Sequence, residues 1–255
     1  MDEAGVLGYS YIELSLIAAT YFFAAFIKGF AGLGFTTSCL AILVHFIGLD
    51  RAIPLITIPA LAIDIILVYE SGNVRTSFLR FQKLHIFTIP GVVLGLWLLS
   101  TAPMHLLTIT LGTLIILFYF YSIASKDFSL PPHLESAFAS PVGFITGLLC
   151  GMTGSQLLPV APYLISLRLP RSEFIQAINT CFTFLTLSMM IGLTYLGLLH
   201  IGAFAVSFVG LGIVYGGTKT GNYLGQYMSA TLFRHVVLVM LLLSGVALIV
   251  FEVLR

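Results

Sequence analysis

Apolar runs recur along the whole chain, at residues 9–27, 35–48, 54–70, 84–100, 105–123, 140–150, 156–167, 174–196, 201–217 and 232–253. Helical crossing of a bilayer takes about 20 apolar residues, because lipid offers no partner to an open backbone amide. That requirement leaves one class of fold, an all-α polytopic membrane protein without a soluble domain. Composition agrees, with 59% hydrophobic and 8% charged residues, where soluble domains carry roughly a quarter charged residues. The net charge of +1 leaves no basic patch, so no nucleic-acid partner is expected and the surrounding partner is membrane lipid.

The N-terminal "MDEAGVLGYS" is acidic and lacks a small-residue cleavage site, so no cleaved leader is expected. The three cysteines, Cys39, Cys150 and Cys181, lie in apolar runs. None forms a C-x-x-C pair, and an odd count argues against a disulfide framework. They read as small hydrophobes, with Cys150 singled out by its place beside a glycine break.

Two pairs of runs are interrupted by glycine. "IKGFAGLGFTTS" separates 9–27 from 35–48, and "GMTGSQ" separates 140–150 from 156–167. The pieces 140–150 and 156–167 are each too short to span, so each pair is either one broken span or a hairpin that enters the membrane and returns. The interruptions also align: "KGFAGLGFTTS" over "CGMTGSQLLPV" puts Gly29 on Gly151 and Gly32 on Gly154, 122 residues apart. Further on, "GVVLGLWLLS" over "GNYLGQYMS" puts Gly91 on Gly221 and Gly95 on Gly225, 130 apart. A duplication with small insertions gives such a drift.

Each half then holds one hairpin and three spans. The first repeat is 1–123 (hairpin 9–48; spans 54–70, 84–100 and 105–123), the linker loop is 124–139, and the second repeat is 140–255 (hairpin 140–167; spans 174–196, 201–217 and 232–253). The basic loop "SGNVRTSFLRFQK" is placed in the cytoplasm by Arg75, Arg80 and Lys83. Counting outward puts 124–139, 168–173 and 226–235 inside, and Arg51, Arg255 and both termini outside. Three spans per half is odd, so the second half is inverted relative to the first, as in many secondary transporters. If each pair spans once, the repeat is parallel instead, and Arg168 and Arg171 fall on the side opposite the basic loop.

Irregular backbone at membrane depth persists only against protein or a water-filled cavity. A half-helix that starts there points free N–H groups and a partial positive charge into that cavity. In the first half Gly29, Gly32 and Gly34 supply the bend, and Thr36, Thr37 and Ser38 open the next helix. In the second, Gly151 and Gly154 bend while Thr153, Ser155 and Gln156 supply donors. Facing one another at midplane, the tips form a candidate anion site, with Lys28 as a counter-charge. The plainer reading is that these glycines serve close packing, as "GVVLG" and "GGTKTGNYLG" do. Asn179, aligned with Thr57, heads a polar stripe with Gln176, Thr180 and Thr183 that should face the interior. Asp64 is the one acid deep in a span, either a coupling residue for protons or an ion-pair partner for Lys28 or Lys219. Glu13 and His45 read as interfacial. Trp97, Tyr9, Tyr11, Tyr69 and Tyr121 read as interface anchors.

With these motifs, "KGFAGLGF", "GLLCGMTGS", "PGVVLGLWL" and "GNYLGQYM", most of the chain resembles the sulfite exporter TauE/SafE family, also called the 4-toluene sulfonate uptake permease family. The resemblance implies a multi-pass transporter of the bacterial inner (plasma) membrane, built from inverted repeats and moving sulfite, thiosulfate, sulfonates or related small organic anions. The chain departs from it where "GFTTSCLAIL" carries hydroxyls and no proline; Pro159 does follow the second break.

The sequence expectation is therefore a secondary transporter with a small anionic substrate, alternating access, no cofactor and no metal site. Proton coupling and a homodimer are both compatible with it. An anion channel and a membrane thiol-redox protein are the alternatives. No motif supports an enzyme, since "GFAGLG" is not the dinucleotide fingerprint and no parallel sheet surrounds it.

Overall fold

The computed structural model describes residues 7–72, 74–124, 129–224, 227 and 230–253. They form eleven helices: α1 (Tyr11–Ala31), α2 (Phe35–Ile47), α3 (Leu49–Ser71), α4 (Val74–Arg80), α5 (Gln82–Thr101), α6 (Met104–Ala124), α7 (Pro132–Thr153), α8 (Val160–Ser166), α9 (Arg171–Tyr195), α10 (Ile201–Leu224) and α11 (Ala230–Val253). Among the described residues there is no strand. Seven helices, α1, α3, α5, α6, α7, α9 and α10, are long and apolar enough to cross a membrane. Large apolar side chains such as Val93, Trp97, Phe120 and Phe208 are exposed around the outside, as lipid-facing positions require.

Local chemistry sets the ends. Ser10 and Glu13 form a reciprocal capping box at the start of α1. Glu13 also holds Arg51 at 2.8 Å, and Arg51 lies 4.8 Å from the Tyr9 ring centre. Tyr9 is thereby buried and is not a free interface anchor. Helix α7 starts at Pro132, directly after Pro131, where a missing N–H costs nothing. Its first turns take in the polar segment read from sequence as the end of a linker. The run 140–150, too short to span, is thus part of a 22-residue helix.

Pro59 shows how the core is held. Its missing N–H leaves the Leu55 carbonyl without its helical donor. The Tyr21 hydroxyl of α1 and the Ser207 hydroxyl of α10 donate to that carbonyl instead, at 2.5 and 2.6 Å. One proline therefore ties α1, α3 and α10 together.

Two glycine seams carry the closest helix contacts. On α10, an added Cβ at Gly217 would meet the Phe22 carbonyl of α1 at 2.6 Å, and one at Gly221 the Phe26 carbonyl at 2.1 Å. On α5, Gly91 and Gly95 stand in the same way against Phe144 and Leu148 of α7, at 2.2 and 2.3 Å. Residue numbers rise together across each seam, so α1 runs parallel to α10 and α7 to α5. Phe22 and Phe26 are 122 residues from Phe144 and Leu148, which fixes Gly91 against Gly217 and Gly95 against Gly221. The pairing of Gly91 with Gly221 expected from sequence is one turn too far. Both helices repeat glycine every four residues, so a one-turn slip keeps the glycine match while losing the true contact. Helices α6 and α11 cross antiparallel at Gly112 and Gly245.

Candidate functional site

The first break is three residues long. Gly32 caps α1 at φ 79° and returns its N–H to the Lys28 carbonyl at 2.7 Å. Gly34 precedes α2 at φ 101°. Positive φ at both positions is open mainly to glycine. The second break begins identically: Gly154 caps α7 at φ 76° with its N–H on the Cys150 carbonyl at 2.7 Å. It then runs through irregular backbone to the seven-residue α8.

Gly29 and Gly151, expected to help make the bends, stay helical. An added Cβ would sit 2.1 Å from the Thr218 carbonyl at Gly29 and 2.6 Å from the Val92 carbonyl at Gly151. These two serve close approach of helices, one turn before each break.

At the breaks a buried polar chain links the halves. The Thr36 hydroxyl donates to Gln156 Oε1 at 3.2 Å. Gln156 Nε2 donates to Thr186 Oγ1 at 2.6 Å, and the Thr186 hydroxyl donates to Asp64 Oδ2 at 3.4 Å. Lys28 Nζ pairs with Asp64 Oδ1. The Thr37 and Ser155 hydroxyls meet at 3.5 Å. Lys28 is 2% exposed and Asp64 0%; the ammonium also lies 5.3 Å from the Phe182 ring centre. A void of about 10 Å³ among Thr36, Thr57, Cys150, Gly154, Gln156 and Thr186 sits within this chain, no more than the room one water needs.

Asn179 Nδ2 donates to the Ile175 carbonyl at 2.7 Å and to the Gly32 carbonyl at 3.3 Å, so α9 reaches across to the end of α1. Its Oδ1 is buried without a partner, as are Gln176 Nε2 and Thr180 Oγ1. Buried polar atoms left open in this way are uncommon and mark the stripe as incomplete. Thr183 turns back to the Asn179 carbonyl. Thr57 is satisfied on its own helix by the Ile53 carbonyl at 2.8 Å, and Thr153 by Leu149 at 2.7 Å, while accepting the Ser155 N–H at 3.2 Å. Ser38 lies apart from the junction, in a void of about 20 Å³ with Phe23 and Leu241.

A cavity of about 900 Å³ leads to this junction between α3, α9 and α10, with Gly29 and Gly32 in its wall. Glu70 and Lys219 line it and pair at 2.9 Å, both about half exposed. Lys219 therefore pairs with Glu70 and not with Asp64. On α4, outside the spanning helices, Arg80 donates to Glu135 of α7, whose carboxylate raises the guanidinium's already high pKa. Glu13 and His45 lie near helix ends; His45 Nδ1 lies 2.9 Å from the Ala41 carbonyl. The three cysteines are buried and free, and no cluster of metal-ligating side chains occurs among the described residues.

Sequence reading missed Thr186, the link between Gln156 and Asp64. Continuing the polar stripe from Asn179 and Thr183 by one more helical step would have reached it.

A bundle of apolar helices, two of them interrupted around a buried ion pair and polar side chains, defines a multi-pass membrane protein of transporter type. A family model for the sulfite exporter TauE/SafE matches residues 17–248, and the chain belongs to that family. Its members are membrane sulfite exporters, transporters and not enzymes. Comparison with curated proteins and with solved structures returned no match.

Proposed function

We propose that this protein is a secondary transporter of small sulfur-containing or organic anions, of the sulfite, sulfonate and thiosulfate class, in the bacterial inner membrane. Two inverted halves, each a broken hairpin with three further membrane helices, alternate access to a site at the junction of the breaks. The carrying observation is Lys28, buried against Asp64, which a hydrogen-bonded chain through Thr186 and Gln156 joins to Thr36 at the breaks.

The chemistry follows from the pairing. A buried ammonium without a counter-charge is costly, so Lys28 always needs an anion beside it. With Asp64 ionised, the pair is self-satisfied and the site rests closed. An entering oxyanion takes Lys28 while Asp64 takes a proton, which keeps the buried charge balanced. Hydroxyl and amide donors on both breaks then bind the remaining oxygens. Uphill movement is thereby tied to the proton gradient, and the basic loop containing Arg75, Arg80 and Lys83 marks the cytoplasmic face.

Reconstituted in liposomes, the protein is expected to take up labelled sulfite with saturation and counterflow, unlabelled anion inside accelerating entry of label. Flux that rises linearly without counterflow would replace the carrier with a channel. Absence of flux for every sulfur oxyanion from a folded sample would overturn the reading.

A further inference from the structure

The contacts that recur across the molecule do so at fixed spacing. Gly29 faces Thr218 and Gly151 faces Val92; Gly32 faces Ile175 and Gly154 faces Ile53. The broken helices and α3/α9 correspond at 122 residues, and α5/α10 at 126. The α3 and α10 residues of the open cavity therefore have counterparts on α9 and α5. For Glu70, Leu67, Leu211 and Asn222 these are Gly192, Met189, His85 and Leu96.

The two places are packed differently. Asn222 and Glu70 are exposed at the open cavity, whereas Leu96 is 5%, Met189 3% and His85 0% exposed. A Cβ at Gly192 would lie 2.1 Å from Leu96 Cδ1, so leucine on glycine seals the seam. The mouths lie at opposite ends of the bundle, the C-terminal ends of α3 and α10 against those of α9 and α5. At the inner end His85 packs against the Phe78 and Phe184 rings, at 5.7 and 5.3 Å, rings that also touch each other at 5.8 Å, with neither imidazole nitrogen bonded. A fully buried imidazole with both nitrogens unpartnered forfeits its hydrogen bonds with water for nothing in return. That burial makes sense for a group that meets water or solute in another state.

We propose that the α5–α9 seam, from Leu96 and Gly192 at its mouth to His85 at its inner end, is the second access route to the junction, closed in this conformation. His85 is the ring N–H donor that an anion meets on entering from that side. The proposal rests on the alternating-access reading above.

Single cysteines at Met189 or Asn222, in an otherwise native chain, test it in oriented membranes with a membrane-impermeant maleimide and peptide-resolved readout. The three native cysteines are buried and serve as internal references. Asn222→Cys should react from one face in the resting protein. Met189→Cys should react only from the other, and several-fold faster with Gly192→Leu, which displaces Leu96. His85→Leu should raise the half-saturating anion concentration about tenfold from the seam's face and leave the other face within about twofold, as loss of one hydrogen bond to a charge predicts. An active protein whose Met189→Cys stays unreactive during turnover overturns the proposal while the anion-carrier reading stands. Two-sided reactivity without sulfite flux upholds the route and removes the assigned substrate. An equal loss from both faces in His85→Leu removes His85's role.

Discussion

The two breaks share a backbone but not a chemistry. Each ends its first helix with a left-handed glycine returning its N–H to the residue four before it, and each presses a glycine one turn earlier onto a neighbouring helix. Yet Lys28 in the first half corresponds to Cys150 in the second, and Asp64 corresponds to Thr186. Among the residues whose burial is described, the buried ion pair Lys28–Asp64 lies with the first break, and the corresponding positions beside the second hold a thiol and a hydroxyl, next to the Gln156 amide. Architecture and charge are therefore separable. The glycines fix where the helices stop, and only the first half decides which charge is held there.

The largest expected effect is architectural. Gly29→Leu and Gly151→Leu both force side-chain atoms into backbone, so both should abolish recovery of folded protein in detergent, measured by monodisperse yield. Tolerance of leucine at one and not the other would break the equivalence of the halves.

Next comes the charge. Lys28→Met or Asp64→Asn alone leaves an uncompensated buried group and should cost about 3–5 kcal/mol. The double variant should regain most of that, as a double-mutant cycle of thermal midpoints would reveal. In transport, Asp64→Asn is expected to lose uphill accumulation and to keep exchange; unchanged accumulation would exclude proton coupling through this carboxylate.

Smaller effects separate equivalent positions. Thr186→Val removes the link between Gln156 and Asp64 and should cost about 1–3 kcal/mol, by stranding a buried amide. Asn179→Leu frees the end of α1 and should weaken anion binding. Thr57→Val, at the corresponding position, breaks only a bond within its own helix and should change binding least. Equal effects at Thr57 and Asn179 would contradict the asymmetry.

Much of this was legible in the chain. Apolar runs gave the membrane fold, and glycines flanked by hydroxyls gave the breaks, because left-handed caps leave few other residue choices. The start of α7 was not legible, since Glu135 and Ser136 look like loop until Pro131 and Pro132 are recognised as a helix entry. The register of α5 on α10 was lost because glycine every four residues matches itself after a slip of one turn. Thr186 was overlooked because a lone threonine in an apolar helix usually bonds its own backbone, as Thr57 does. Its role appears only when Gln156 and Asp64 are brought beside it.

The most direct test of the central claim is anion binding by purified protein, read as a rise in thermal midpoint with sulfite, sulfate, thiosulfate, sulfoacetate, taurine, acetate and chloride. The account predicts stabilisation by one or two sulfur-containing anions in the native protein and none in folded Lys28→Met/Asp64→Asn. Undiminished stabilisation of that double variant by the same anions would show that they bind elsewhere and contradict the site.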